Sequence, residues 1–307
     1  MLENLATIHA ALQNLPQMVG VAADSYKTTR LGGLTNLVYR VETGAEMLIV
    51  RIPGDGTESY IDRSVELHNA RAAARAGVSA EVLWADAASG VMISRCIDPS
   101  VTMTPELFQS RAGSPGRAGG GLRKLHQSGE VFEFRFELFA MIDSYLKILA
   151  DKNAELPDGY AEIVRAAQPV KQALAAHPAA LAPCHCDPLC ENFLDDGAAM
   201  WIVDWEYSGM NDPAWDLGDL SVEGGFTDAQ DLEMLRAYYR SDPDAAQVGR
   251  VVIYKAMCDL LWTLWGLIQH ADSNEAEDFW AYATGRFERC KALMQSAEFS
   301  GHLAAIR

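Results

Sequence analysis

The sequence predicts an α+β protein of two unequal lobes: a small antiparallel sheet carrying one helix, then a larger, mostly helical part. Three observations point there. Strand-like runs crowd the first third of the chain, at Leu37–Val41, Met47–Ile52, Glu81–Ala85 and Gly90–Ser94, with one helical stretch, Asp62–Ala76, among them. Asp98-Pro99-Ser100 then breaks the pattern and divides residues 1–97 from residues 98–307. Beyond it apolar residues recur at three- and four-residue steps, interrupted by one strand–turn–strand pattern at Asn192–Val203.

Composition narrows the classes. The 307 residues are 49% hydrophobic and 22% charged, which suits a sizeable core and excludes a disordered chain. A net charge of -17 and a pI near 4.8 argue against nucleic acid and anionic membranes as partners. A small cation is compatible with that field. The start, MLENLATIHAALQNL, carries Glu3 where a secretory leader is basic. The longest apolar candidate, Val251–Gln269, contains Lys255 and Asp259 and reads as a buried helix rather than a membrane span. The expected location is the cytoplasm; oligomeric state is not legible.

In the first lobe, Glu3–Leu15 reads as a helix, and the first two strand-like runs are joined by a Thr-Gly turn. Gly32 and Gly33 precede them. A glycine pair offers free N–H groups and close backbone approach, which would suit nucleotide phosphates and would equally suit a plain hairpin turn. Asp62 is the N-cap of the following helix and Gly77 its stop, with Glu66 one turn inside and His68 on its surface. Two short strands follow, with Trp84 read as core.

After residue 98, Thr104-Pro105-Glu106 combines a cap, a proline at the first helical position and an acid in the first turn. Ala112–Gly121 is too rich in glycine for a stable helix and is expected to be a surface loop. Phe132–Leu149 and Tyr160–His177 are expected to be helices.

Pro183–Asp219 carries the most information. HCDPLCEN places Asp187 two residues after His185 and Asn192 five residues after Asp187, the spacing of a phosphoryl-transfer catalytic loop. In such a loop the Asp accepts a hydroxyl proton and the Asn holds Mg²⁺. Asn192–Leu194, a turn at Asp195-Asp196-Gly197 and the returning run Ala199–Val203 form a hairpin that brings Asp204 back beside Asn192. One Asn and one Asp suit Mg²⁺, which takes few protein oxygens and keeps phosphate and water. Cys184, Cys186 and Cys190 lack CxxC spacing, and Cys184 and Cys186 point away from His185 on an extended segment, so they read as buried thiols and not a zinc site. In the helix Val251–Gln269, Trp262, Trp265 and Gln269 fall at i, i+3 and i+7, which serves core packing or the wall of a cation pocket.

HCDPLCEN, IVDWEYSGMNDPAWDLGDL and LLWTLWGLIQ together closely resemble choline/ethanolamine kinases, of the aminoglycoside-phosphotransferase branch of the protein-kinase-like fold. The resemblance runs from about Thr28 to Gln269 and implies a nucleotide-binding lobe over 1–97 and a catalytic, substrate-binding lobe over 98–307. It implies Asp187 as base, with His185 as a structural support of the loop, and Asn192 and Asp204 as Mg²⁺ ligands. Arg51 would reach ATP phosphates and pair with Glu66; Gly32 and Gly33 would lie at the phosphate loop. Residues Ile93–Asp98 would form the hinge that reads adenine, and Asp216 would hydrogen-bond the catalytic-loop backbone unless it is only an N-cap. Trp262 and Trp265 would wall a trimethylammonium pocket with Glu223 as its acid; Tyr207, Trp215 and Gln269 are further candidates, while Trp280 and Tyr282 are read as core. The chain departs from protein kinases at Trp205, where their motif has Phe-Gly, and at the glycine loop. The implied reaction is ATP- and Mg²⁺-dependent phosphorylation of a small cationic amino-alcohol, choline first and ethanolamine second. The rivals are a kinase for another hydroxylated amine or an aminoglycoside, and a non-catalytic nucleotide-binding regulatory module.

Overall fold

A computed structural model describes residues 2–31, 36–54 and 61–306. Gly32 and Gly33 lie outside the described residues. Helix α1 (Leu2–Leu12) leads into β1 (Lys27–Arg30), β2 (Asn36–Glu42), β3 (Met47–Pro53), α2 (Arg63–Arg75), β4 (Val82–Asp86) and β5 (Val91–Arg95). The five strands form one antiparallel sheet in the order β1-β2-β3-β5-β4. Alternation sets its register: Val41, Leu48, Val50 and Ile93 face inward and meet Ile8 and Leu12 of α1, and Leu15 just beyond it, in a first core. Asp62 caps α2 by accepting the amides of Ser64 and Val65, as its position in the sequence implies.

The rest comprises β6 (Val101–Thr102), α3 (Pro105–Ser110), α4 (Ser114–His126), α5 (Leu138–Asp151), α6 (Tyr160–Ala166), α7 (Gln168–Ala176), β7 (Ala182–Cys184), β8 (Phe193–Asp195), β9 (Met200–Ile202), β10 (Gly209–Asn211), α8 (Ala214–Glu223), α9 (Asp228–Tyr239), α10 (Ala245–Ala271), α11 (Phe279–Met294) and α12 (Phe299–Ala305). Helix α10 is the spine, packed by α5, α8, α11 and α12. It is the one helix among the described residues long and apolar enough to cross a membrane, and most of it is enclosed by its neighbours. The α2 residues Ala70, Ala72 and Ala73 belong to this second core, so α2 bridges from the sheet to the helices.

Three sequence expectations are corrected. The glycine-rich stretch is not a loop: from Ser114 it is helix α4. A Cβ on Gly119 would come within 2.3 Å of the Met234 carbonyl oxygen, so glycine is what lets α4 lie against α9. Tertiary approach outweighs the ~1 kcal/mol propensity penalty of each glycine. Phe132–Phe136 is extended rather than helical, with Arg135 bridging Met210, so α5 starts only at Leu138. The long helix expected at 160–177 is two, divided at Ala167 with Pro169 in the first turn of the second.

Candidate active site

The loop His185–Asn192 is held from beneath and from both ends. The carboxylate of Asp216, fully buried in the first turn of α8, accepts the amides of His185 (2.7 Å) and Cys186 (2.9 Å). Asp216 lies inside α8, whose N-cap is Pro213, so it is not the N-cap; Asp212, one residue before, accepts the Ala214 amide at 3.1 Å. His126 donates from Nε2 to the same Asp216 carboxylate at 2.9 Å, and its Nδ1 accepts from the Tyr238 hydroxyl, also at 2.9 Å. Cys186 sits at φ 67, a left-handed conformation that costs a non-glycine residue about 1 kcal/mol or more, and this network holds it there. His185 is fully buried and donates from Nε2 to the Val203 carbonyl at 2.8 Å, tying the loop to the strand that delivers Asp204.

The hairpin β8–β9 closes the arrangement. Val203 donates to the Asn192 carbonyl at 2.9 Å, which sets Asp204 beside Asn192. The Asn192 Nδ2 donates to the Asp187 carbonyl at 3.1 Å. Its amide nitrogen is thereby engaged and its Oδ1 is the atom left to meet a cation. Asp187 is half-buried; desolvation first, then the nearby carboxylates Glu223, Asp204 and Glu206, push its pKa well above the usual carboxylate range. That makes it a stronger proton acceptor than a surface Asp.

On the sheet side, oxygens of Glu66, Asp204 and Glu206 lie within 4.8 Å of one another. Two arginines thread this acid cluster. Arg51 on β3 pairs with Glu66 and stands 3.4 Å from Asp204. Arg63 donates to Glu66 (2.8 Å) and Glu206 (3.2 Å), and Asn36 donates to Glu206 at 3.1 Å. Burial alone would lower the Arg51 pKa, but Glu66 and Asp204 outweigh it and hold the guanidinium charged. Its Nε and Nη2 are buried without a partner among the described residues, and such orphaned donors suit phosphate oxygens. Glu206 is pushed up to about 7 by burial and then by Asp204. The donors of Asp204 and Asn192 are the oxygen type that Mg²⁺ takes.

Glu223, Asp219, Arg286 and the Tyr282 ring also lie near Asp187, and helix α10 brings two tryptophans into aromatic contacts. Trp262 meets Tyr207 edge-on at 5.8 Å between centroids, and Trp265 meets Phe279 (5.6 Å) and Tyr282 (5.8 Å). Gly266 makes room for α11: a Cβ there would lie 2.7 Å from the Tyr282 ring. Glu223 pairs with the buried Arg286, whose guanidinium lies 4.6 Å over the Tyr282 ring and also donates to Asp259 at 3.2 Å. The Trp262 indole donates to Asp219 at 3.1 Å.

Of the residues expected at the site, the structure brings together Asp187, His185, Asn192, Asp204, Arg51 and Glu66, sets Glu223 near Asp187, and pairs Trp262 with Tyr207 and Trp265 with Tyr282. Trp215 requires correction. It is fully enclosed, donates to the Cys186 carbonyl at 3.0 Å and packs on Phe136 and Tyr254, so it underpins the loop and has no face for a ligand. Gln269 lies at the far end of α10, where it accepts from Asn274 at 3.0 Å. Sequence reasoning marked Asp219 beside Asp216 without giving it a task, passed over Glu206, Phe279 and Arg286, and took Tyr282 for core. The D-x-E spacing of Asp204 and Glu206 was available; nothing local marked Arg286.

Residues 28–248 match the model of the phosphotransferase enzyme family. A choline/ethanolamine kinase family protein of Mesorhizobium loti is 59% identical, the match covering 100% of this chain and 99% of that crystallised chain, with a TM-score of 0.90. Protein LicA of Haemophilus influenzae is 26% identical over 277 residues, covering 86% of this chain and 79% of LicA. Ethanolamine kinase 2 of Rattus norvegicus is 25% identical over 290 residues, covering 84% of this chain and 73% of that protein. The chain belongs to the choline/ethanolamine kinase family, within the phosphotransferase enzyme family, and is a phosphotransferase with an alcohol group as acceptor.

Proposed function

We propose that the chain transfers the γ-phosphoryl group of ATP, with Mg²⁺, to the hydroxyl of choline. The observation that carries the reading is the grouping of Tyr282 and Glu223 near Asp187, with Trp265 edge-on to Tyr282 and, on the same helix α10, Trp262 edge-on to Tyr207. A trimethylammonium group has no N–H to donate, so ring faces and nearby carboxylates are its fitting hosts. A cation seated there would present its hydroxyl to Asp187.

In this reading Asp187 accepts the hydroxyl proton as the oxygen bonds to the γ-phosphorus, while the bond from that phosphorus to the β–γ bridging oxygen breaks and ADP leaves. Arg51, whose Nε and Nη2 have no partner among the described residues, grips ATP phosphates, and Glu66 orients it. Asp204 and Oδ1 of Asn192 would hold Mg²⁺, whose chemistry there would be neutralisation of phosphate charge. His185, Asp216 and Trp215 hold the loop so that positioning, which dominates this chemistry, is built in before substrates arrive. The division of labour between residues 1–97 and 98–307, and a cytoplasmic setting where ATP is supplied, belong to the same reading.

ADP release measured with choline, ethanolamine and an aminoglycoside in turn tests it. Choline should give the highest kcat/KM. A higher value for ethanolamine or for the aminoglycoside would overturn the assignment.

A further inference from the structure

Helix α8 carries three carboxylates on one face, at i, i+3 and i+7, and each has a different task. Asp216 holds the catalytic-loop amides, Glu223 holds Arg286, and Asp219 between them accepts the Trp262 indole N–H at 3.1 Å. Asp219 is 1% exposed, and its second oxygen, Oδ1, has no hydrogen-bond partner among the described residues. A buried carboxylate with an idle oxygen is costly to keep unless something compensates its charge. Burial first, and then Glu223, push the Asp219 pKa well above the usual carboxylate range, so a cation nearby is what favours its ionised form. Arg286 is the cation that faces Asp187, Asp219 and Glu223, and it is shared with Asp259, which also binds Arg289.

We propose that Asp219 is a positioning and specificity-determining residue for the acceptor. It fixes the indole plane of Trp262 and sets, beside that ring, a buried carboxylate that the substrate's cationic group would hold ionised. The inference rests on the proposed use of a cationic amino-alcohol and adds to it: the pocket discriminates for charge as well as for shape, and the discriminating charge sits behind the tryptophan rather than at the pocket rim. Asp219 touches no reacting atom in this account. It acts through Trp262 and through its field.

The test uses Mg²⁺- and ATP-loaded enzyme with two acceptors of one shape, choline and its neutral isostere 3,3-dimethylbutan-1-ol. Asp219→Asn keeps an oxygen for the indole and removes the charge. The choline KM should rise ~5- to 50-fold, the isostere's KM should change less than about threefold, and the KM for ATP should hold. Asp219→Leu also frees the indole, so the KM for both acceptors should rise. Choline-induced thermal stabilisation, read without turnover, should shrink in Asp219→Asn. A parental choline-to-isostere KM ratio in folded Asp219→Asn, with choline stabilisation intact, overturns the inference while leaving the choline assignment standing. Failure of the parent enzyme to use choline removes that assignment and this inference with it.

Discussion

Asp216 grips the amide of His185 at 2.7 Å and, through its other oxygen, the amide of Cys186 at 2.9 Å, so one carboxylate fixes two consecutive residues of the catalytic loop. An Asp216→Asn amide has a single acceptor oxygen and turns an NH₂ group toward one of these N–H donors. A buried donor left unpaired costs roughly 1–3 kcal/mol. The variant should melt several degrees lower, and its kcat should fall at least tenfold while ATP affinity changes little. Calorimetry and ATP titration check both halves; parental kcat in the variant would mean the loop keeps its shape unaided.

Asp187→Asn keeps the shape of the side chain and removes the proton acceptor. Turnover should fall by ~10²–10⁴, the usual worth of general-base assistance. Nucleotide binding, followed by calorimetric titration, should persist. Parental turnover in the purified, folded variant would end the assignment of Asp187 as base.

Asp204 and Asn192 differ in charge, and their variants should differ in response to metal. Asp204→Ala leaves a hard dication one neutral protein oxygen and should abolish Mg²⁺-supported activity across the titration. Asn192→Ala retains the carboxylate and should shift the Mg²⁺ midpoint upward, with measurable activity at saturation. An Asp204→Ala titration that overlays the parent's contradicts the metal site.

The contrast between these residues and the ones missed shows what a sequence carries. Asp187, Asn192 and Asp204 lie within one loop and one hairpin, so chain spacing alone brings them together. The glycine-rich start of α4 was misread because its helicity comes from a partner: Gly119 is small so that Met234 of α9 can approach. Arg286 and Tyr282 reach the pocket from a helix that follows α10, and that meeting is set by tertiary packing, which no local pattern encodes. Trp215 was taken for pocket because aromatic content is visible in sequence and burial is not.

Acid should weaken the protein through Asp195, at the turn end of the catalytic hairpin. Its carboxylate takes two bonds from Arg117 at 2.8 and 2.6 Å and pairs with Arg111. Burial alone would raise its pKa, but Arg117, the Gly197 amide and Arg111 overcome this and hold it at about 2. A folded-state pKa below the unfolded value stabilises above the ordinary carboxylate range, and the gain is lost as pH falls through that range toward 2. Asp195→Asn should therefore be less stable than the parent at pH 7, by up to ~2 kcal/mol, with the gap narrowing between pH 4 and 2. Chemical denaturation across that range measures it. A constant gap would assign the loss to packing instead.

Trp262 decides whether the aromatic cluster binds a cation or only fills space. Its ring is largely buried, edge-on to Tyr207, with its N–H engaged by Asp219. If a ring face meets the onium group, that contact contributes roughly 0.5–2 kcal/mol, depending on desolvation. Trp262→Leu keeps much of the apolar bulk and deletes the face, so the choline KM should rise about 2- to 30-fold at ~1.4 kcal/mol per decade, with the KM for ATP unchanged. The neutral tert-butyl isostere should be a poor substrate for the parent, and the substitution should matter less to it, because a neutral group gains nothing from the ring quadrupole. Loss of thermal stability with an unaltered choline KM would make Trp262 a packing residue, and the cation would then have to be held by Trp265, Tyr282 and Glu223 alone.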